Sequence, residues 1–387
     1  MKKIKNIYIV LISLIISLLL AEITLRILTN FPNVARNNLR LDSNFGFKVN
    51  TDLKDIDKFG FRNIYKKSEN FQVSAIGDSH TYSYGVKSKN SWPSQLEKML
   101  NNVSVYNYGI GGNGIYSYHF LINDSLKNDK KIILALYLPN DLDNKKYVCA
   151  IDFNNNFWEN EVARLKLNRP SKCTITQESS IRELNILKIN DFNDFIIFSI
   201  NSSALLSLTY ELIYKPIIKK TPSDNKKISF YKRFSPIKIN RLDIIKNLTN
   251  LDNPEIDMVF SDFNKMAKDW ARKSKNGNLG IILIPSRQSI YKSALEQMKI
   301  IPENKTTIDF YTKNEMILET KVLNLIRKLK IPVLSARNNI VHEFINTLPT
   351  KGMEKFYPDG GHPNVAGYKA YAKTAKEVYL EMKAMSE

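Results

Sequence analysis

Residues 71–86, FQVSAIGDSHTYSYGV, decide how the rest of the chain is read. Val73, Ala75 and Ile76 form a short apolar run that Gly77 ends. A run of this kind, closed by a turn signal, fits a strand buried on both faces. Asp78, Ser79 and His80 follow at its carboxyl end. The serine there can cap a following helix by accepting a bond from an orphan N–H. It can equally act as a nucleophile, provided the chain supplies a base and an oxyanion site.

Outward from this stretch the pattern alternates. WPSQLEKML (92–100) reads as a helix capped by Ser91 with Pro93 in its first turn, and VSVYNYG (103–109) reads as a second strand. GIYSYHFLINDSLK (114–127) is helical in period, and KIILALYL (131–138) is a third buried strand. Alternation resumes with IDMVFSDFNKMAKDWARKS (256–274), the strand NLGIILIP (278–285) and the amphipathic EMILETKVLNLIRKLK (315–330). IPVLSAR (331–337) is a fifth strand, and NVAGYKAYAKTAKEVYLEMKAM (364–385) closes the chain as a helix. This order predicts a three-layer α/β/α sandwich around a central, mainly parallel sheet.

The core segments, 71–143 and 256–387, flank a long insertion at 144–255 where regularity fails. Pro170, Pro216, Pro222 and Pro236 are scattered through it. Residues 194–214 suggest a helix, but Asn201, Ser202, Ser203 and Thr209 make it too polar for a membrane span. Residues 31–70 are rich in Asn, Asp and Lys, with the aromatic-glycine islands NFGFKVN and DKFGFRN, and read as a stalk and lead-in.

At the amino end, Lys2, Lys3 and Lys5 precede the apolar run IYIVLISLIISLLLA (7–21). Extended by ITLRIL, it approaches the roughly 20 residues that span a bilayer. Residues 1–30 are therefore expected to form a signal-anchor helix, with lysines in the cytoplasm and the body extracytoplasmic, in the periplasm or at the cell surface. Cleavage as a signal peptide is the alternative, although no clear A-x-A site follows. Cys149 and Cys173 are the only cysteines; in an exported body they could pair, in a cytosolic one they would more often be free.

Across 387 residues, 57 Lys and Arg against 38 Asp and Glu leave a net charge of +19, which favours anionic surfaces, acidic glycans or nucleic acid. The charge is spread along the chain, and no RNP-like pattern, zinc-finger spacing or basic arm marks a nucleic-acid reader, so no nucleic-acid partner is expected. No P-loop and no His-rich ligand set is present, so neither nucleotide cofactor nor metal is expected. Ser79 also lies outside a Gly-x-Ser-x-Gly elbow, which argues against the α/β-hydrolase fold.

Four polar motifs fall beyond the carboxyl ends of the predicted strands, where open parallel sheets place their sites. They are GDSH with Ser79, NYGIGGNG with Gly112, YLPND with Asn140, and YPDGGHPN with Asp359 and His362. In order and wording these blocks resemble the SGNH hydrolases, also called the GDSL esterase and lipase superfamily. The flanks GFRN and GVKSKNSWPSQLEKML resemble membrane-anchored bacterial members of that superfamily. The resemblance implies a flavodoxin-like sandwich and a triad of Ser79 as nucleophile, His362 as base and Asp359 as the residue that orients it. It implies an oxyanion hole from the Ser79 and Gly112 backbone N–H groups and the Asn140 amide.

Two residues depart from the family pattern: His80 follows the nucleophile, and Pro139 stands in the third block. His80 is expected to cap or face solvent; His119 and His342 are expected to be structural. Asp78 and Asp141 are expected to accept turn N–H groups.

The implied function is hydrolysis of acyl esters, O-acetyl above all, on a cell-envelope or exported glycan. Transfer of the acyl group to a polysaccharide hydroxyl uses the same triad and stays open. So does a non-catalytic role, binding glycan or scaffolding an export system. The expected partners are an acylated carbohydrate or other ester, the membrane, and an envelope polysaccharide-assembly protein.

Overall fold

The computed structural model describes residues 12–24, 39–42, 44, 46–49, 55–63, 70–142, 154–168, 254–274, 277–299, 305–351, 356–358 and 361–387. The chain divides into two compact units, one of residues 1–39, 52–54 and 177–227, the other of residues 40–51, 55–176 and 228–387. The described part of the first unit is mainly a helix, α1, at residues 12–24, whose Ile12, Leu14, Ile15, Leu19 and Leu20 are exposed. Among the described residues no helix is long and apolar enough to cross a membrane. The remainder of the expected anchor, the polar-apolar stretch 194–214, Cys149 and Cys173 lie outside the described residues.

The second unit is built on five parallel strands in the order β4, β3, β5, β6, β7. They are β3 (Val73–Ile76), β4 (Val105–Asn107), β5 (Lys131–Tyr137), β6 (Leu279–Ile284) and β7 (Val333–Ser335). Two short strands, β1 (Leu39–Asp42) and β2 (Gly46–Val49), form a separate ribbon. Helices cover both faces of the main sheet. Val73, Ala75, Ile133, Ala135, Ile282 and Ile284 point into a core shared with α3 (Trp92–Leu100), α7 (Arg287–Gln297), α9 (Arg337–Lys351) and α10 (Val365–Ala384). Their neighbours in sequence, such as Ile132, Leu134 and Ile281, are equally buried on the other face, where α4 (Ile115–Lys127) packs on β3 and β5 and α6 (Pro254–Lys273) packs on α4. Burial on both faces explains the lack of apolar-polar alternation in these strands.

Local chemistry sets the helix starts. Ser91 accepts from the Ser94 N–H at 3.3 Å ahead of α3, and Asn364 accepts from Ala366 and Gly367 ahead of α10. The helix α5 (Asn156–Leu165), inside the segment read as irregular, starts at an Asn155 cap on Trp158. It belongs to the body: the Trp158 indole donates to the Asn44 carbonyl at 2.7 Å, and Glu161 and Arg164 bond residues of α4 and α6. The remaining helix, α8 (Lys305–Lys328), packs on α7 and β7.

The strand order matters for the site. From β3 the chain steps to β4 on one side and then to β5 on the other, which opens a crevice beyond the carboxyl ends of β3 and β5. Ser79 follows β3 and Asn140 follows β5, so the two stand across that crevice.

Candidate active site

Ser79 is the first residue of a single-turn helix, α2 (Ser79–Tyr82), so its N–H stays outside the helical ladder. Asp78 caps the turn through its side chain, accepting from the His80 N–H at 2.8 Å. The backbone here is closely packed. A Cβ on Gly77 would meet Thr81 Oγ1 at 2.1 Å, and one on Gly109 would meet the Tyr82 nitrogen at 2.1 Å. Glycine at 77 lets α2 turn back tightly over the end of β3, and glycine at 109 lets the loop after β4 press against α2. Gly112 in the same loop has φ +88°, a conformation that other residues adopt only under strain. A Cβ on Gly111 would lie 3.7 Å from Ser79 Cβ, so this loop runs directly beside the serine.

The structure brings Ser79 and His362 together: His362 Nε2 lies 2.7 Å from Ser79 Oγ across 283 residues of sequence. His362 sits on the segment before α10, whose path is closed by the Asn364 N–H donating to the Phe356 carbonyl at 2.6 Å. Tyr84 and His80 flank its ring, with centroids at 5.2 and 4.8 Å. Asn140 stands in the turn after β5 and donates from Nδ2 to Asp78 Oδ2 at 3.4 Å. The same Asp78 oxygen accepts from Ser79 Oγ at 3.3 Å. One buried carboxylate therefore touches both the serine hydroxyl and the Asn140 amide. Burial pushes the Asp78 carboxyl pKa up, opposed by the His80 N–H, the field of His362 and the bonds from Asn140 and Ser79. Asp359 lies outside the described residues.

His80 differs from its expected place. Asp78 is the cap, and the His80 ring is 2% exposed, with its centroid 3.9 Å from that of Tyr137 and Nδ1 3.1 Å from the Tyr371 hydroxyl. An imidazole can enter such a place because three aromatic or imidazole rings and a hydroxyl replace the water it gives up. Asp141 does act as a turn acceptor, taking the Tyr137 N–H at 2.7 Å. His342 is exposed on α9.

The lead-in segment also reaches the site. Arg62 is buried and donates to the carbonyls of Tyr82, Ser83 and Val86 at 3.2, 3.0 and 2.7 Å. Its guanidinium stacks over the Tyr82 ring at 4.8 Å from the centroid. Asn63 accepts from the Asn107 N–H at 2.9 Å and donates to Asp57 at 2.8 Å. The GFRN island thus fixes both the turn after Ser79 and the end of β4. Its signal in the sequence was an arginine and an asparagine beside a glycine-aromatic pair, with no periodicity to announce partners so far along the chain.

Among the described residues, His119, Glu161 and Asp269 place ligand atoms within 4.8 Å of one another. Their bonding opposes a metal. The Trp270 indole donates to His119 Nδ1 at 2.8 Å, which leaves Nε2 as the protonated nitrogen facing Glu161 at 2.6 Å. Arg164 bonds both carboxylates and Lys273 bonds Asp269 at 2.7 Å, so the acids are already neutralised. Burial lowers the His119 pKa against the pull of Glu161, in keeping with a neutral ring.

No protein-family profile matches the chain, and no curated protein matches it in sequence. Its structure is similar to a lipolytic protein of the G-D-S-L family from Desulfitobacterium hafniense DCB-2, at a TM-score of 0.32 and 13% identity, covering 80% of this chain and 99% of that chain. A second solved structure gives a TM-score of 0.31 at 12% identity, covering 80% of this chain and 96% of the other. At these values neither likeness supports an assignment of activity.

Proposed function

We propose that the protein is a serine esterase of the SGNH type, held at a membrane by its amino-terminal helix and acting on acyl esters of an extracytoplasmic glycan. The observation that carries this reading is the 2.7 Å contact between Ser79 Oγ and His362 Nε2 at the carboxyl edge of the sheet. A serine hydroxyl becomes an effective nucleophile when a base takes its proton, and this geometry is within reach of that transfer. Ser79 attacks the ester carbonyl and His362 accepts the hydroxyl proton. The tetrahedral oxyanion is held by the N–H groups of Ser79 and Gly112 and by the Asn140 amide. His362 then returns the proton to the leaving alcohol as the C–O bond breaks, leaving Ser79 acylated. Water then attacks the acyl carbon as His362 takes its proton, and His362 returns that proton to Ser79 Oγ as the acyl–oxygen bond breaks, freeing the carboxylic acid and restoring the serine. Asp359, three residues before the base, is assigned the orientation of the imidazole. The exposed apolar side chains of α1 support the anchor.

The test is hydrolysis of p-nitrophenyl acetate and longer-chain esters by the full-length protein in detergent. Ser79→Ala and His362→Ala should each lower kcat by about 10⁴-fold or more. Equal activity of wild type and both variants would overturn the reading.

A further inference from the structure

The described, partly buried arginines of the body differ in one respect. Arg62, Arg164 and Arg337 each donate to a carboxylate: Asp55, Asp269 and Glu319 respectively. The side chain of Arg287, half-buried at the start of α7, has no hydrogen bond or ion pair among the described residues, and its Nε is buried without a partner. Nearby acids do not serve it. Glu315 accepts from the Ser286 N–H at 2.6 Å and from the Ser286 hydroxyl, and Glu319 is taken by Arg337 and Ser335.

Arg287 stands at the same carboxyl edge of the sheet as Asn140. It begins the helix after β6, and the Leu138 N–H donates to the Ile284 carbonyl at 3.0 Å, so the β6 exit runs alongside the turn that carries Asn140. The guanidinium lies 5.8 Å from the centroid of Tyr291, whose ring meets that of Tyr357 at 5.9 Å. Tyr357 is 3% exposed, and its hydroxyl has no partner. It begins the segment that leads to His362. The field of Arg287 reaches both Tyr357 and Tyr137, the latter stacked on His80. Buried donors without partners are rare in folded proteins, so the Arg287 Nε and the Tyr357 hydroxyl together point to a ligand that satisfies them.

We propose that Arg287, backed by the Tyr357 hydroxyl, is an anion subsite beside Ser79 and His362, and that the ester is carried on an acidic saccharide. This deepens the esterase reading and rests on it. Two N–H or O–H donors suit a carboxylate or phosphate oxygen, and a guanidinium can hold either in two parallel bonds. The net charge of +19 favours encounter with such a chain.

The experiment compares O-acetylated polygalacturonate with O-acetylated neutral xylan as substrates of the full-length protein, in wild type, Arg287→Met and Arg287→Lys, each checked for an unaltered melting curve. The expected result is a wild-type preference, as a ratio of kcat/KM, for the acidic polymer. That ratio falls at least about tenfold in Arg287→Met through KM, weakens with salt, and is partly restored in Arg287→Lys. No acidic preference in wild type, or a preference that survives Arg287→Met, overturns the subsite. If neither polymer nor any simple ester is hydrolysed in a Ser79-dependent way, the esterase reading fails. Binding of de-acetylated polygalacturonate then decides the subsite by itself: loss of binding in Arg287→Met upholds it, and equal binding ends it.

Discussion

Asp78 joins the parts of the candidate site that the sequence shows as separate blocks. Its Oδ1 caps α2, while its Oδ2 meets both Ser79 Oγ and Asn140 Nδ2. In Asp78→Asn the cap survives through the amide oxygen, but an NH₂ group then faces two donors. We expect kcat on a simple ester to fall about 10- to 100-fold, since a misplacement of a reacting group by about 1 Å can cost on the order of 100-fold. KM should stay nearly constant, and a loss carried by KM alone would refute the role. Asn140→Ala removes one proposed oxyanion donor and should lower kcat by about 10²- to 10³-fold. Undiminished turnover would take Asn140 out of the site. Ser79, Asn140 and His362 were legible because each is a chemistry-bearing residue in a distinctive short motif at a strand end. The burial of His80 was not, because the rings that enclose it come from two distant parts of the chain, Tyr137 at the end of β5 and His362 with Tyr371 around the start of α10. No local pattern records that enclosure.

At the level of elements, the five strands were readable from apolar runs, α3 from its Ser91 cap and Pro93, and α10 from its helical spacing; the Asn364 cap emerged only in the structure. Helix α5 keeps a helical spacing in Trp158, Val162 and Leu165, but it is short and lies in an Asn-rich polar run; what fixes it is bonding to α4 and α6. The lead-in was hidden for the same reason. Arg62 closes the loop of residues 82–86, which carries Tyr84 against His362. Replacing it with Met keeps much of the volume but leaves three carbonyls without their donor. Arg62→Met should cost about 1–3 kcal/mol of stability. Esterase turnover should drop with it, because the loop beside the base is released. Thermal melts and ester kinetics on the same samples check both effects, and an unchanged melt would show that the brace contributes nothing. Gly109→Ala tests the packing of the loop after β4 on α2. Its new methyl would lie 2.1 Å from the Tyr82 nitrogen, so α2 must shift, and stability should fall by about 1–3 kcal/mol.

At the scale of the whole molecule, buried charge on the α4, α5 and α6 side sets how the fold responds to acid. Glu161 of α5 meets His119 of α4 and Arg164, and Arg164 meets Asp269 of α6. Burial raises the Glu161 pKa, but the bonds from His119 and Arg164 outweigh it and hold the carboxyl down to about 2. Asp269 is held well below the usual carboxylate range in the same way, its burial outweighed by Arg164, Lys273 and Arg272. A carboxyl whose folded pKa is depressed contributes stability at pH values above its unfolded pKa, about 4, and that contribution is lost as pH falls through the folded pKa. The network should therefore stabilise the protein at neutral pH and fail between about pH 4 and pH 2. Asp78, Asp141 and Glu315, whose carboxyl pKa values burial raises, act in the opposite sense, so total stability alone does not isolate the effect. The difference between wild type and the double variant Glu161→Gln, Asp269→Asn does. At pH 7 the variant should melt several degrees lower than wild type. The two melting temperatures should converge as pH is lowered from about 4 toward 2, because protonation removes from the wild type the charges that the variant already lacks. Curves that stay parallel across that window would show that the helices are held by packing alone.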